Sequence, residues 1–296
     1  MKLADSDVTP YSLVLPLNEP LPLVCDSPHS GSDYPADFHV DLPFKVLQTA
    51  EDAWVHELWQ SVPQLGGTLL KANFPRTYID LNRELDDIDP AALAEPWPGK
   101  LNPTDKSAAG CGLIWTSVRG RPLYERKLWV AEVQQRIDQY YLPYYRALEH
   151  RMSALQEQFG VVWHLNVHSM PSDTLQQMVG GATGHGHTAA GTLPMLADVV
   201  LGDLDGRTCD PTYIGIVEDF FVARGYSVAR NNPFKGVALL RRFGHPAKNR
   251  HSLQIELNRA LYMNEETGQK SAHFLRVQND LADVGKVVAN FVRSLL

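Results

Sequence analysis

Short apolar runs that end abruptly at polar loops recur along this chain. Residues 22–25 are followed by the polar loop 26–31, and residues 161–168 are rich in β-branched side chains and end at Ser169. Each run predicts a buried strand that delivers polar residues at its carboxyl end. The same criteria predict further strands at residues 68–71, 78–81, 195–201, 227–230 and 252–257.

Helical periodicity fills the intervals between these runs. Apolar residues recur at helical spacing in residues 44–62, 123–159, 213–224 and 272–296, and Pro143 predicts a bend in the second of these helices. Strands that alternate with helices, without a linker or a repeat, predict an α/β fold with a mixed, largely parallel sheet in one domain spanning 1–296. Residues 84–123 are rich in Asp, Pro and Gly and predict an irregular insertion, which is usually functional or mobile.

Composition narrows the function classes. The net charge is −7 and no block of basic residues is present, which argues against a nucleic-acid or anionic-membrane partner. No apolar run is long enough to span a membrane, and the polar N-terminus is unlike a secretory signal. Cys25, Cys111 and Cys209 are too widely spaced for a metal motif and odd in number, so a reducing, cytoplasmic location is expected. The oligomeric state stays open.

Residues 74–83 concentrate positive charge around one predicted strand. Arg76 and Arg83, with Asn82 between them, bracket residues 78–81. Guanidinium groups stay charged and offer a planar fork of donors, which suits an anionic, carbonyl-bearing ligand. The alternative is that both arginines form surface salt bridges with the acidic residues of 84–89.

Two histidines are candidate metal ligands. His29 and His168 each end a predicted strand, and parallel strands would gather them at one edge of the sheet. Neutral imidazole suits zinc, and a catalytic zinc site needs a third protein ligand, for which Asp52 and Glu51 are the candidates. His56, one helical turn after Asp52, could also chelate with it. The alternative is that the histidines cap loops or fill the core and that Asp52 and His56 form a solvated pair.

Other chemistry is less well supported. Glu256 lies near the end of a predicted strand, where it could face the site or simply pair with Arg259. The glycine-rich loop 179–192 carries His185 and His187 but lacks the lysine of a phosphate-binding loop, so we expect it to cover a substrate or to have no role. The sequence contains no G-x-S-x-G motif and no cysteine in an activating context, which argues against covalent hydrolysis.

Seven short segments stand out in order along the chain, namely 26–31 (DSPHSG), 51–58 (EDAWVHEL), 74–83 (FPRTYIDLNR), 166–170 (NVHSM), 202–206 (GDLDG), 232–236 (NPFKG) and 254–259 (QIELNR). Taken together, they resemble the N-formylglutamate amidohydrolase family. The family is related to zinc carboxypeptidases and to the aspartoacylase and succinylglutamate desuccinylase group, so the resemblance implies a three-layer α/β/α, phosphorylase/hydrolase-like fold.

The resemblance implies a zinc site. His29 and His168 match the two histidine ligands, and Asp52 best matches the acidic ligand, with Glu51 as the fallback. The related zinc enzymes carry the acid three residues after the first histidine, where this chain has Ser32. The same donor set also accepts manganese, cobalt or iron.

The resemblance also implies catalytic and substrate-binding roles. Glu256 corresponds to the glutamate that activates the attacking water, and Arg76 to the arginine that steadies the oxyanion. Asn82 and Arg83 match a pair that holds a substrate carboxylate, and Lys235 is a candidate for a second carboxylate.

The implied reaction is hydrolysis of N-formyl-L-glutamate to formate and L-glutamate, the last step of one route of histidine degradation. The alternatives are a zinc deacylase of another N-acyl amino acid, a carboxypeptidase, or a non-catalytic metal- or ligand-binding protein.

Overall fold

The computed structural model describes residues 9–175 and 196–296. Its strands are β1 (Tyr11–Val14), β2 (Leu23–Ser27), β3 (Thr68–Ala72), β4 (Ser117–Val118), β5 (Arg121–Pro122), β6 (Val162–Met170), β7 (Val199–Gly202), β8 (Val228–Arg230), β9 (Arg250–Asn258), β10 (Met263–Asn264) and β11 (Gln269–Lys270). Its α-helices are α1 (Phe44–Gln48), α2 (Val55–Leu58), α3 (Asp105–Ala108), α4 (Val130–Arg136), α5 (Leu142–Phe159), α6 (Pro211–Ala223), α7 (Ala238–Phe243) and α8 (Phe274–Ser294). Short 3-10 turns lie at Val62–Leu65, Pro90–Ala92, Pro246–Lys248 and Arg259–Leu261, and a π-helical turn at Ile137–Tyr141.

A seven-stranded sheet in the order β1-β3-β2-β6-β9-β7-β8 forms the centre of the fold. β3, β2, β6 and β9 are parallel, whereas β1 is antiparallel to β3 and β7 is antiparallel to β9. The predicted mixed, largely parallel sheet is therefore confirmed. The longest pairing joins β6 to β9 and places His168 opposite Glu256 at their carboxyl ends.

Helices cover both faces of the sheet. Val24 and Leu70 point into a core cluster that includes α4 and α5, whereas Leu23 and Leu165 point into a second cluster that includes α6 and α8. Burial on both faces explains why the central strands are almost continuously apolar. This is the predicted three-layer arrangement. Among the described residues, no helix is both long and apolar enough to cross a membrane.

The predicted helix over residues 44–62 is wrong, because the chain forms α1, α2 and a 3-10 turn instead. Trp54 adopts a left-handed conformation with φ +67°, which breaks the helix just before α2. The interruption brings Asp52 to the loop after β2, where its N–H donates to the carbonyl of His29 at 3.0 Å. The spacing of apolar residues reflects only their near neighbours in the chain, so it cannot predict a break that is imposed by the contact of Asp52 with the loop of His29.

Two further predictions fail near the arginine segment. Residues 78–81 are not a strand, because the N–H of Asp80 donates to the carbonyl of Leu113 in the insertion rather than to a sheet neighbour (2.8 Å). The helix predicted from residue 123 begins only at α4, where the N–H of Trp129 is capped by Glu132 at 2.8 Å. The π-helical turn lies immediately before the turn that contains Pro143.

The buried carboxylate of Asp26 joins three elements. It accepts hydrogen bonds from Tyr144 on α5 (2.8 Å) and from His164 (2.7 Å) and Asn166 (2.8 Å) on β6. Burial alone would raise the pKa of Asp26. The attraction of His164 and the three hydrogen bonds outweigh burial and hold the pKa below its usual range.

We expect Asp26→Asn to lower the free energy of unfolding by about 3 kcal/mol at neutral pH, because it breaks a buried charge network. The pKa of Asp26 is lower in the folded than in the unfolded protein. Its contribution to the free energy of unfolding is therefore complete at a pH above the unfolded pKa and is lost as the pH falls through the folded pKa. The difference between wild type and variant in urea unfolding should therefore shrink as the pH falls below the unfolded pKa of about 4. Exposed Asp33→Asn is the control, and a pH-independent difference would contradict this account.

Candidate metal centre and active site

The loop after β2 carries His29 into the site. Two residues later, a Cβ on Gly31 would lie 2.3 Å from the carbonyl oxygen of Phe74, so only glycine allows this close approach. The contact packs the loop against the chain that leaves β3, which is the segment that contains Arg76. The sheet thus brings two of the predicted polar segments together.

His29 presents one ring nitrogen to the site. Its Nε2 donates to Asp80 Oδ1 at 2.7 Å, because a carboxylate can only accept. Its Nδ1 is buried, has no hydrogen-bond partner and lies 3.6 Å from Asp52 Oδ2. Asp80 therefore fixes the tautomer that leaves the Nδ1 lone pair free.

His168 is oriented in the same way by an amide. Asn166 Nδ2 donates to Asp26, which turns its Oδ1 toward His168 Nε2 at 2.8 Å. The Nδ1 of His168 is then left facing Asp52 Oδ2 at 3.1 Å. The amide nitrogen of Asn82 is 3.5 Å from His168 Nε2, which is longer than a usual hydrogen bond.

Asp52 is the carboxylate that meets both histidines. It is 0 % exposed, and Arg259 donates to its second oxygen, Oδ1, at 3.0 Å. Burial would raise the pKa of Asp52, but its close contacts with His168 and His29 and the nearby charge of Arg76 hold it well below its usual range.

Glu51, the fallback acidic ligand, and His56, the possible chelating partner of Asp52, are placed differently. Glu51, the fallback ligand, accepts a hydrogen bond from Tyr34 at 2.5 Å, and burial raises the pKa of Glu51 to about 7. His56 is partly buried, which lowers its pKa to about 4, and Asp52 bonds to His168 and Arg259 rather than to it.

The donor set of this cluster suits a metal ion. Ligand atoms of His29, Asp52 and His168 all lie within 4.8 Å of one another. With both Nε2 atoms protonated, three lone pairs converge in a buried space and repel one another unless a cation or a proton lies between them. Two imidazoles and one carboxylate are a typical set for zinc and other divalent transition metals.

Arg76 borders this cluster. Its Nε and Nη2 donate to Asp80 Oδ2 at 3.1 and 2.9 Å, while its Nη1 lies 3.7 Å from Asp52. The ring of Trp115 lies 5.0 Å from the guanidinium, and its Nε1 donates to Asp80 at 3.0 Å. Arg76 is therefore rigidly held, with Nη1 not bonded to Asp80.

Glu256 lies on the strand next to His168, and in the parallel register both side chains emerge on the same face of the sheet. Gln254 donates to it at 3.3 Å. Burial raises the pKa of Glu256 to about 7, aided by the charge of Asp52 and opposed by His168 and Arg76. A carboxyl group with such a pKa can accept and return a proton near neutral pH.

The predicted substrate-binding residues are dispersed. Arg83 Nε donates to the carbonyl of Cys111, and Nη1 donates to that of Asn82, both at 2.8 Å. Asn82 is buried, and its Oδ1 accepts the N–H of Leu239 at 3.2 Å. Lys235 lies in an exposed ion pair with Asp205 at 2.9 Å.

Sequence reasoning missed four residues that shape the site, namely Asp80, Trp115, Asn166 and Arg259. Asp80, Asn166 and Arg259 lie inside polar segments already singled out, but nothing local shows that they hold other site residues. The sequence also allows a pairing of Arg259 with Glu256, but in the structure Arg259 donates a hydrogen bond to Asp52. Trp115 lies in the insertion, where no periodic signal pointed to it. Residues 179–192, with His185 and His187, lie outside the described residues.

Comparison with known proteins points to one family. The family model of N-formylglutamate amidohydrolase matches residues 21–263. The chain is 30% identical over 253 residues to an N-formylglutamate deformylase of Pseudomonas putida, with 83% of each chain covered. It is 27% identical over 290 residues to an N-formylglutamate deformylase of Pseudomonas aeruginosa, with 93% of each covered.

Two solved structures are similar to this chain. A crystal structure of N-formylglutamate amidohydrolase from Ralstonia eutropha JMP134 matches with a TM-score of 0.92 at 48% identity, covering 98% of this chain and 100% of that one. A gene product from Agrobacterium tumefaciens shares the fold, with a TM-score of 0.61 at 16% identity.

Proposed function

Because this chain belongs to the N-formylglutamate amidohydrolase family, we propose that it hydrolyses N-formyl-L-glutamate to formate and L-glutamate with the help of zinc. The observation that carries the proposal is the buried cluster of His29, Asp52 and His168 beside Glu256. Relatives named N-formylglutamate deformylase support the substrate.

His29, Asp52 and His168 would hold the metal through the two Nδ1 atoms and the Asp52 carboxylate. A bound zinc ion would polarise the formyl carbonyl and make a water molecule more acidic. The protein supplies the orientation of these ligands, because Asp80 and Asn166 each accept the Nε2 proton of one histidine. Partners of this kind are as much part of a metal site as its ligands.

The other steps belong to side chains around the cluster. Glu256 accepts a proton from the attacking water and returns it to the leaving amine, which its pKa of about 7 favours. Arg76 donates from Nη1 to the developing oxyanion, and Arg83 with Asn82 anchors a substrate carboxylate. Asp80 and Trp115 keep Arg76 in place during this exchange. Binding of the second carboxylate by Lys235 stays a prediction.

The purified, zinc-loaded enzyme can be assayed against N-formyl-, N-acetyl- and N-succinyl-L-glutamate to test the substrate. We expect kcat/KM to be highest for the formyl compound. Faster cleavage of another acyl group would replace the proposed substrate with a different N-acyl amino acid, and cleavage of peptides alone would indicate a carboxypeptidase.

The two arginines should differ in their kinetic effects. Arg83→Ala should raise KM about 10-fold or more with little change in kcat, because the Arg83 side chain is proposed to bind the substrate equally well in the ground state and in the transition state. Arg76→Ala should lower kcat by about 100-fold, as expected for an oxyanion donor. Steady-state kinetics test both, with exposed Arg121→Ala as the control. Reversed effects would contradict this division of roles.

We also propose that the reaction completes a route of histidine degradation in the cytoplasm. Cys25, Cys111 and Cys209 are free thiols, which supports a reducing compartment.

A further inference from the structure

Trp54 occupies a backbone position that ordinarily belongs to glycine. The N–H of Val55 donates to the carbonyl of Asp52 at 3.3 Å, so residues 52–55 form a four-residue turn with Trp54 in its third place. The φ of +67° and ψ of −3° at Trp54 lie in the left-handed region, which glycine favours at this place in a turn because a side chain crowds the backbone there. A bulky residue persists in such a conformation only where its surroundings hold it. Contacts of the indole must therefore offset the cost of the turn.

The chain that follows β9, including β10 and β11, supplies those contacts. The indole Nε1 of Trp54 donates to the carbonyl of Gly268 at 3.0 Å, and the ammonium group of Lys270 lies 4.6 Å from the centre of the indole ring. The hydroxyl of Tyr262 donates to the carbonyl of Ala53 at 3.0 Å. This part of the chain therefore holds both the side chain of Trp54 and the main chain immediately before it.

The same turn aims Asp52 at the histidines. The N–H of Asp52 donates to the carbonyl of His29 at 3.0 Å, and its Oδ2 lies 3.1 Å from His168 Nδ1. A continuous helix would instead direct the N–H of Asp52 to the carbonyl four residues earlier in the chain. Arg259, the first residue after β9, donates to Asp52 Oδ1 at 3.0 Å. The chain that follows β9 thus contacts the carboxylate itself as well as the turn beside it.

We propose that Trp54 is a positioning residue for the metal centre: its anchored indole holds the left-handed turn that aims the Asp52 carboxylate at the two histidines, and this raises the affinity for a divalent metal ion. The inference rests on the metal centre of the proposed function and not on the identity of the substrate. It gives Gly268, which is 214 residues away from Trp54 in the chain, a share in metal binding.

Trp54→Gly tests the inference most directly, because glycine adopts the left-handed turn without strain and lacks the anchors. We expect the Kd of the full chain for zinc, measured by competition with a chromophoric chelator, to rise about 10-fold or more, the loss typical of removing a partner that orients a metal ligand. The absorption bands of bound cobalt should shift as well, since they report the geometry of the ligands. Trp54→Phe, which keeps a ring beside Lys270, should recover most of the affinity, and exposed Trp129→Phe should behave as wild type.

A role in folding alone would give a different result. It would lower the Tm of metal-free Trp54→Gly but leave its cobalt spectrum unchanged and its zinc Kd within about threefold of the wild-type value, and that outcome would overturn the inference. If Trp54→Gly does not fold, the double variant Trp54→Phe/Lys270→Met removes both anchors but keeps an aromatic ring, and an unchanged zinc Kd in that variant would overturn the inference equally.

The binding measurement uses no substrate, so it separates this inference from the proposed reaction. Wild-type protein that binds zinc but does not cleave N-formyl-L-glutamate would overturn the proposed substrate alone. Wild-type protein that binds no divalent metal would overturn both the metal centre and the role of Trp54.

Discussion

Glu256→Gln should lower kcat by about 1000-fold while zinc content stays at the wild-type level. Glutamine preserves the shape of the side chain and can still accept the hydrogen bond from Gln254, but it cannot take a proton from water. The metal cluster does not include Glu256, so its loss should leave metal binding intact. Steady-state kinetics and metal analysis on the same preparation test both statements.

A matched variant separates this effect from a general loss of charge. Glu266 is an exposed glutamate that follows Glu256 in the chain, and Glu266→Gln should keep the wild-type kcat. If Glu256→Gln retains more than about a tenth of wild-type kcat, another group is the proton acceptor.

His29→Gln should abolish the stabilisation of the protein by zinc. A ligand present at 1000 times its Kd for the folded state adds about 4 kcal/mol to the free energy of unfolding, which is a rise in Tm of roughly 7 °C for a chain of this size. Wild-type protein should lose this increment on chelation and regain it when zinc is restored. The variant lacks the buried Nδ1 that points to Asp52, so zinc should leave its Tm unchanged.

Metal analysis after dialysis provides a second, independent measurement. Wild type should retain close to one ion per chain, whereas the affinity of His29→Gln should fall by more than about 100-fold, beyond the loss seen on removing an outer partner of a ligand. Exposed His39→Gln controls for non-specific binding by histidine. An equal zinc-induced shift in wild type and His29→Gln would show that the ion binds elsewhere.

The strands that carry His29, His168 and Glu256 could be predicted because a buried parallel strand is apolar over its own length and ends in polar residues. The same local patterns gave the alternation of strands and helices and hence the α/β class. The segment 74–83 was singled out for its two arginines, and the structure places one of them, Arg76, against Asp52 and Asp80.

The failures share one cause. Apolar spacing over residues 44–62 favours one continuous helix, but the chain turns at Trp54 and Asp52 reaches the loop of His29. The apolar residues around Asp80 have the local pattern of a strand, but the backbone of Asp80 bonds to the insertion. In both places a contact from a distant part of the chain outweighs the local preference.

The sequence by itself determined the central buried strands of the sheet, the polar residues that follow them, and the family that the ordered motifs resemble. Those features follow from solvent exposure and backbone preference, which act over a few residues. Only the tertiary structure decided that Asp52 rather than Glu51 faces both histidines, that Asp80 and Asn166 set their tautomers, and that Arg83 bonds to the carbonyl of Cys111 in the insertion. Each depends on side chains that are far apart in the sequence and that the central sheet brings within a few ångströms of each other.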